Sequence, residues 1–156
     1  MNAGAARFRT VLVPVDGSPL SDEALAAAIA FARPLRAKVI ALAVAEPYPE
    51  SLAPISEDFN ARAVAQARGR VGQAERLIGE AGLPCAGYCV TSYEPHREIV
   101  DAAQRLGCDA IFIGMHGGDP LGRFFFGSQA QKVLAYSPVP VMVLRDRRIV
   151  GSNADS

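Results

Sequence analysis

An α/β domain built on an open parallel sheet is the fold class the sequence predicts, and three observations carry that prediction. Five β-rich apolar runs alternate with four helix-like segments along 156 residues. The connections between them are mostly short. The run Asp109-Ala-Ile-Phe-Ile-Gly-Met115 is apolar at consecutive rather than alternate positions, as in a strand covered on both faces. Strand-helix alternation of this kind gives parallel strands with helices on both faces of the sheet. The expected strand order is 3-2-1-4-5, a five-stranded Rossmann-like arrangement that sets the loops after strands 1 and 4 opposite each other across one crevice.

The first strand is Arg9-Thr-Val-Leu-Val-Pro-Val15, ended by Asp16-Gly17. Ser18-Pro19 opens the first helix: serine caps it, and proline stands at the first helical position, where its missing N–H costs nothing. Leu25, Ile29 and Ala32 give this helix its apolar stripe, and Arg33-Pro34 closes it. Lys38 to Val44 is the second strand. Three prolines and no periodicity make Glu46 to Pro54 a loop. Ser56-Glu-Asp-Phe59 then opens a long helix reaching about Ala81, which Gly69, Gly72 and Gly79 weaken. Gly82-Leu-Pro84 turns the chain into the third strand, Cys85 to Thr91. The third helix runs from Pro95 to Leu106, with Ile99, Ala102, Ala103 and Leu106 inward and Gly107 after its end. The fourth strand is the 109–115 run, and Gln129-Ala-Gln-Lys-Val-Leu-Ala-Tyr136 is the fourth helix, stopped by Ser137-Pro138. The last strand, Val139-Pro-Val-Met-Val-Leu144, carries Pro140 and therefore belongs at an edge or pairs where the missing N–H does not matter, which suits a dimer edge; an apolar edge strand left unpaired would invite aggregation.

Composition narrows the function. Sixteen basic residues balance sixteen acidic ones, so no broad basic field favours nucleic acid or an anionic membrane. No stretch approaches the roughly 20 apolar residues that span a bilayer, and Met1 to Arg9 lacks the apolar centre of a signal peptide, so a cytoplasmic protein is expected. Three cysteines, Cys85, Cys89 and Cys108, suit reduced thiols better than a disulfide framework. Cys85 and Cys89 share a strand at a spacing of about 13 Å, beyond disulfide reach, and Cys108 beside Gly107 reads as core.

The candidate site is the segment Gly114-Met-His-Gly-Gly-Asp-Pro-Leu-Gly-Arg-Phe-Phe-Phe-Gly-Ser128, which joins the buried fourth strand to the fourth helix. Glycines allow backbone to approach a ligand closely, and the free N–H groups at a helix start attract an anion. Backbone N–H groups at Gly117, Gly127, Ser128 and Gln129 could point at phosphate oxygens, with the Ser128 hydroxyl as a further donor. The spacing from Gly122 to Gly127 imitates a Walker loop, but Ser128-Gln129 stands where Lys-Ser/Thr is required. No Gly-x-Gly-x-x-Gly follows the first strand, which speaks against a nicotinamide cofactor. His96 and His116 have no Cys or carboxylate at metal-ligand spacing, and Ser18 and Ser128 have no visible His/Asp partners, so no catalytic residue is assigned.

Taken together, Val11-Leu-Val-Pro-Val-Asp-Gly-Ser18, the pattern Gly114-x2-Gly117-x9-Gly127-Ser128 and Ser137-Pro-Val-Pro-Val-Met-Val143 resemble the universal stress protein family, over roughly residues 7 to 146 of a single-domain chain with a tail at 147–156. The resemblance implies ATP in the crevice between the first- and fourth-strand loops, and a homodimer formed by pairing of the last strands, Val139 to Leu144. It places Pro14, Asp16 and Val44 on the adenosine side, Gly114, Met115 and Gly117 near ribose and first phosphates, and Gly127, Ser128 and Gln129 on the outer phosphates. Mg²⁺ would share the phosphate charge, with Asp16 as a ligand or its neighbour. The function implied is that of an ATP-binding sensor or regulator in stress response, acting on a protein partner that the sequence does not name. Any hydrolysis should be slow, since no general base is evident. Two further functions fit the same fold: a dimeric interaction protein that leaves the crevice empty, and a nucleotidyl-transfer enzyme. Gly118-Asp119-Pro120 and Phe124-Phe125-Phe126 depart from the family pattern. An inward Asp119 would repel phosphate, and the phenylalanines would cover the crevice or support the dimer.

Overall fold

The computed structural model describes residues 7–47, 53–115 and 128–145, with the side chains of 53–56 and 128 outside that description. Five strands and four helices alternate: β1 Thr10–Pro14, α1 Pro19–Ala32, β2 Lys38–Ala45, α2 Ala53–Glu80, β3 Cys85–Thr91, α3 Pro95–Arg105, β4 Ala110–Met115, α4 Ser128–Tyr136 and β5 Val141–Arg145. The sheet is parallel, in the order β3-β2-β1-β4-β5. That is the expected topology, with β1 central and the chain reversing direction between β1 and β4.

Each face of the sheet has its own core. Val11, Val13 and Val15 of the first strand segment, with Val39, Ala41 and Ala43 of β2, are buried under α1 and α2. The alternate residues Leu12, Ile40 and Leu42, with Ile111 and Ile113, are buried under α3 and α4. Central strands thus bury both sides, which is why they are apolar at consecutive positions. The β1–β4 junction is fastened by Asp109, whose Oδ2 accepts from the backbone N–H groups of Arg9 (2.8 Å) and Thr10 (3.0 Å).

Two boundaries differ from expectation by more than one residue. Helix α2 starts at Ala53, three residues before the serine expected to open it, so Pro54 lies in its first turn, where no N–H is needed. Its glycines do not break it. The buried stripe Ala67, Val71, Ala74 and Ile78 holds the helix on the sheet, while Gly69, Gly72 and Gly79 face open space. Strand β5 starts at Val141, two residues late, so Pro140 precedes the strand instead of lying within it and contributes its carbonyl to Ile111 N–H at 2.9 Å. Among the described residues no helix is long and apolar enough to cross a membrane.

Candidate functional site

The turn after β1 is held by its own side chains. Val15 N–H donates to Leu42 C=O at 2.9 Å, keeping the chain on the sheet for one residue beyond Pro14. Ser18 N–H then donates to Asp16 Oδ1 (2.9 Å), a turn that fixes the carboxylate, and Ser18 Oγ caps α1 by accepting from Ser21 N–H (3.1 Å). Asp16 N–H donates to Ser21 Oγ at 3.1 Å, which satisfies the buried Ser21 hydroxyl. Between them Gly17 adopts φ +80°, and Arg70 of α2 packs so closely that a Cβ there would lie 2.7 Å from its Nε. The backbone angle favours glycine, and a side chain there would also have to displace the Arg70 guanidinium.

A cavity of about 290 Å³ opens where β1, β2 and β4 end. Leu42 and Val44 of β2, Ile113 and Gly114 of β4 and Pro14 of β1 form its floor; Pro95 and Ile99 of α3 and Gln129 and Ala130 of α4 form a wall. Asp16, Ser18 and Glu46 supply the polar edge. The starts of α1, α3 and α4 all contribute lining residues, so three helix dipoles turn their positive ends toward one space. Against them stand the Asp16 and Glu46 carboxylates, and no Lys or Arg is part of the described lining. The arrangement suits a flat apolar group with acceptors at one end and hydroxyls or a cation near the carboxylates.

Of the residues expected at the site, Pro14, Asp16, Val44, Gly114 and Gln129 meet at this cavity. Met115 is not part of its lining; it pairs with Arg145 and packs in the core beneath α3 and α4. Ser128 begins α4, its side chain outside the described residues, and Gly117 and Gly127 lie outside them altogether, as do His116, Asp119 and Phe124 to Phe126. Gly114 is fixed by packing as well as by position, since a Cβ on it would meet Leu20 Cγ at 2.8 Å and the Leu20 carbonyl at 3.1 Å. Sequence reasoning missed Glu46, Pro95 and Ile99. Glu46 lies two residues beyond Val44 and so extends the same strand face, a signal that was present; Ile99 reads as an ordinary core position. It also missed the buried His96, whose backbone N–H and Nδ1 each lie 2.9 Å from Gln129 Oε1.

Fold and crevice together define a doubly wound α/β protein with a cavity at its topological switch point. The sequence profile of the universal stress protein family matches residues 7–145. A universal stress protein of Thermus aquaticus is 33% identical over 142 residues, covering 88% of this chain and 99% of that protein. The structure of the universal stress protein UspA from Lactobacillus plantarum superposes with a TM-score of 0.77 at 25% identity, over 90% of this chain and 99% of that one. Two more distant structures share the fold with adenine mononucleotides bound. One is a universal stress protein in complex with cAMP (TM-score 0.67, 23% identity, 89% and 98% coverage), the other the Archaeoglobus fulgidus protein in complex with dAMP (0.64, 22%, 88% and 98%). The chain belongs to the universal stress protein family.

Proposed function

We propose that this chain binds an adenine nucleotide, ATP together with Mg²⁺, in the cavity and acts in the cytoplasm as a nucleotide-dependent sensor or regulator of a stress response. The observation that carries the reading is the convergence of Pro14, Asp16, Val44, Gly114 and Gln129 on one cavity whose floor is apolar and whose wall is built from helix starts. Leu42, Val44 and Ile113 offer the floor a purine ring needs, and Asp16 and Glu46 offer acceptors for ribose hydroxyls. At about 290 Å³ the cavity is at the small end for ligand sites and suits the nucleoside; the phosphates would extend toward Gly117, Gly127 and Ser128. The cAMP- and dAMP-bound relatives support the choice of base. Three free thiols accord with a reducing compartment.

Magnesium fits the carboxylates. Among the described residues no group of three His, Cys, Asp or Glu could hold a metal alone, but Mg²⁺ carried by phosphates takes only one or two protein carboxylates, and Asp16 and Glu46 supply hard oxygen at the cavity edge. The ion would neutralise charge that the described lining, with two carboxylates and no cationic side chain, cannot offset. Titration calorimetry of the purified chain with ATP, with and without Mg²⁺, tests this: Mg²⁺-dependent binding is expected, and it should vanish in Gly127→Val/Ser128→Ala. No heat at millimolar ATP and Mg²⁺ refutes it.

That same pair of carboxylates favours a second reading, a dimeric interaction protein whose crevice stays empty. It expects no nucleotide in mass spectra of freshly purified protein and no change of melting temperature with Mg²⁺ and ATP. A ligand at a hundred times its Kd would instead stabilise the fold by about 2.7 kcal/mol.

A further inference from the structure

We propose that Gln129 is the side-chain amide that reads the nucleotide's phosphate, and that His96 is the positioning residue that aims it. This rests on the nucleotide reading of the cavity. Gln129 Oε1 lies 2.9 Å from His96 backbone N–H and 2.9 Å from His96 Nδ1. A backbone N–H only donates, so the atom facing it must be the amide oxygen, and the amide cannot be turned round. The oxygen then dictates the imidazole as well: Nδ1 must carry a proton to share it. One backbone and one side-chain donor therefore hold Gln129 in a single orientation, with Nε2 as its remaining arm.

Three facts direct that arm to a phosphate. Gln129 lines the cavity and His96 does not, and among the described residues Nε2 meets no protein acceptor. Every other described lining side chain is apolar, a hydroxyl or a carboxylate, so Gln129 supplies the sole N–H donor among them. Gln129 also occupies the second position of α4, directly after the segment read as the phosphate cradle, where the helix start already favours an anion. His96 is 8% exposed and stands in the first turn of α3, so the clamp ties two helix starts across the crevice wall. Asp101 and Arg97 of α3 and Tyr136 of α4 surround the outer side of His96. The Nδ1 donor persists whether or not Nε2 is protonated, so the clamp does not depend on the charge of His96.

The test measures ATP, AMP and adenosine affinities by calorimetry on the full chain. Gln129→Glu keeps an oxygen for His96 and replaces the donor by an anion, so ATP and AMP should bind at least tenfold more weakly while adenosine changes by less than about twofold. His96→Ala should lower ATP affinity several-fold, and His96→Asn, whose amide can stand in for Nδ1–H, should restore it. In the wild type, ¹⁵N spectra should show His96 as the Nδ1–H tautomer at high pH. Unchanged ratios of ATP to adenosine affinity in Gln129→Glu, or equal losses for both ligands, overturn the assignment alone, and retained adenosine binding shows that the variant is folded. No nucleotide binding by the wild type overturns the nucleotide reading and this assignment together.

Discussion

Gly114 illustrates how a residue read for ligand approach is also demanded by the protein. The close approach of Leu20 means that a methyl group there pushes α1 off β4, so Gly114→Ala should cost about 1–3 kcal/mol in nucleotide-free protein, read from urea melts. A loss appearing only in the presence of ATP would contradict that. Cys108 offers a second residue-scale prediction. Burial, then the neighbouring Asp109 carboxylate, push its thiol from 9.0 up to about 11, with Lys38 opposing. The unfolded chain therefore releases this proton near pH 9 while the folded chain keeps it until about 11, and unfolding releases a proton throughout that window. The stability Cys108 contributes is complete below pH 9 and is lost as pH rises toward 11, a loss of about 2–3 kcal/mol at 1.36 kcal/mol per unit. Wild type should lose that much more than Cys108→Ala between pH 8 and pH 11. At neutral pH the thiol should react with iodoacetamide more slowly than a free cysteine, which argues against a redox sensor.

At the scale of elements, α2 shows why a sequence pattern can mislead about strength without misleading about type. Gly69, Gly72 and Gly79 read as weak points because glycine costs a helix roughly 1 kcal/mol each relative to alanine. Yet the helix runs 28 residues, because Ala67, Val71, Ala74 and Ile78 return at helical spacing and are buried. Tertiary packing supplies what propensity withholds. The glycines face open space, so Gly72→Ala should stabilise the protein by about 0.5–1 kcal/mol in thermal or urea melts, and a destabilisation would mean that the exposed face has a role in contact with something else. The same logic divides what was legible in the site. Asp16 was readable because the first strand ends in a local signature of apolar run followed by turn residues, whereas Val44 came only with the family resemblance. Pro95, Ile99 and the His96–Gln129 bond were not, because they depend on how α3 and α4 lean together, a contact between residues 33 apart that no short-range pattern encodes. Proline within the expected last strand was a true signal with a displaced consequence: it set where β5 begins, not how β5 is used.

For the whole molecule the open question of the fold is its edges. Strand β5 pairs with β4 and, among the described residues, with nothing else, and Met142 on it is half exposed. Since Pro140 C=O accepts from Ile111 N–H, alternation along a parallel pair directs the hydrogen-bonding groups of 142 and 144 toward β4 and those of Val141 and Val143 outward. An apolar edge with outward N–H and C=O groups is a template for another strand, and a second copy pairing there about a two-fold axis would extend the sheet to ten strands and remove the hazard. We therefore expect a dimer in solution by light scattering. Val143→Pro removes one outward N–H without touching the β4 ladder, and Met142→Lys places a charge on the rim of the same edge. Each should shift the mass toward the monomer, with the far-ultraviolet circular dichroism of the fold retained. A wild type that stays monomeric at 100 μM, or a dimer indifferent to both substitutions, would place the contact elsewhere and leave β5 to be protected by some other part of the surface.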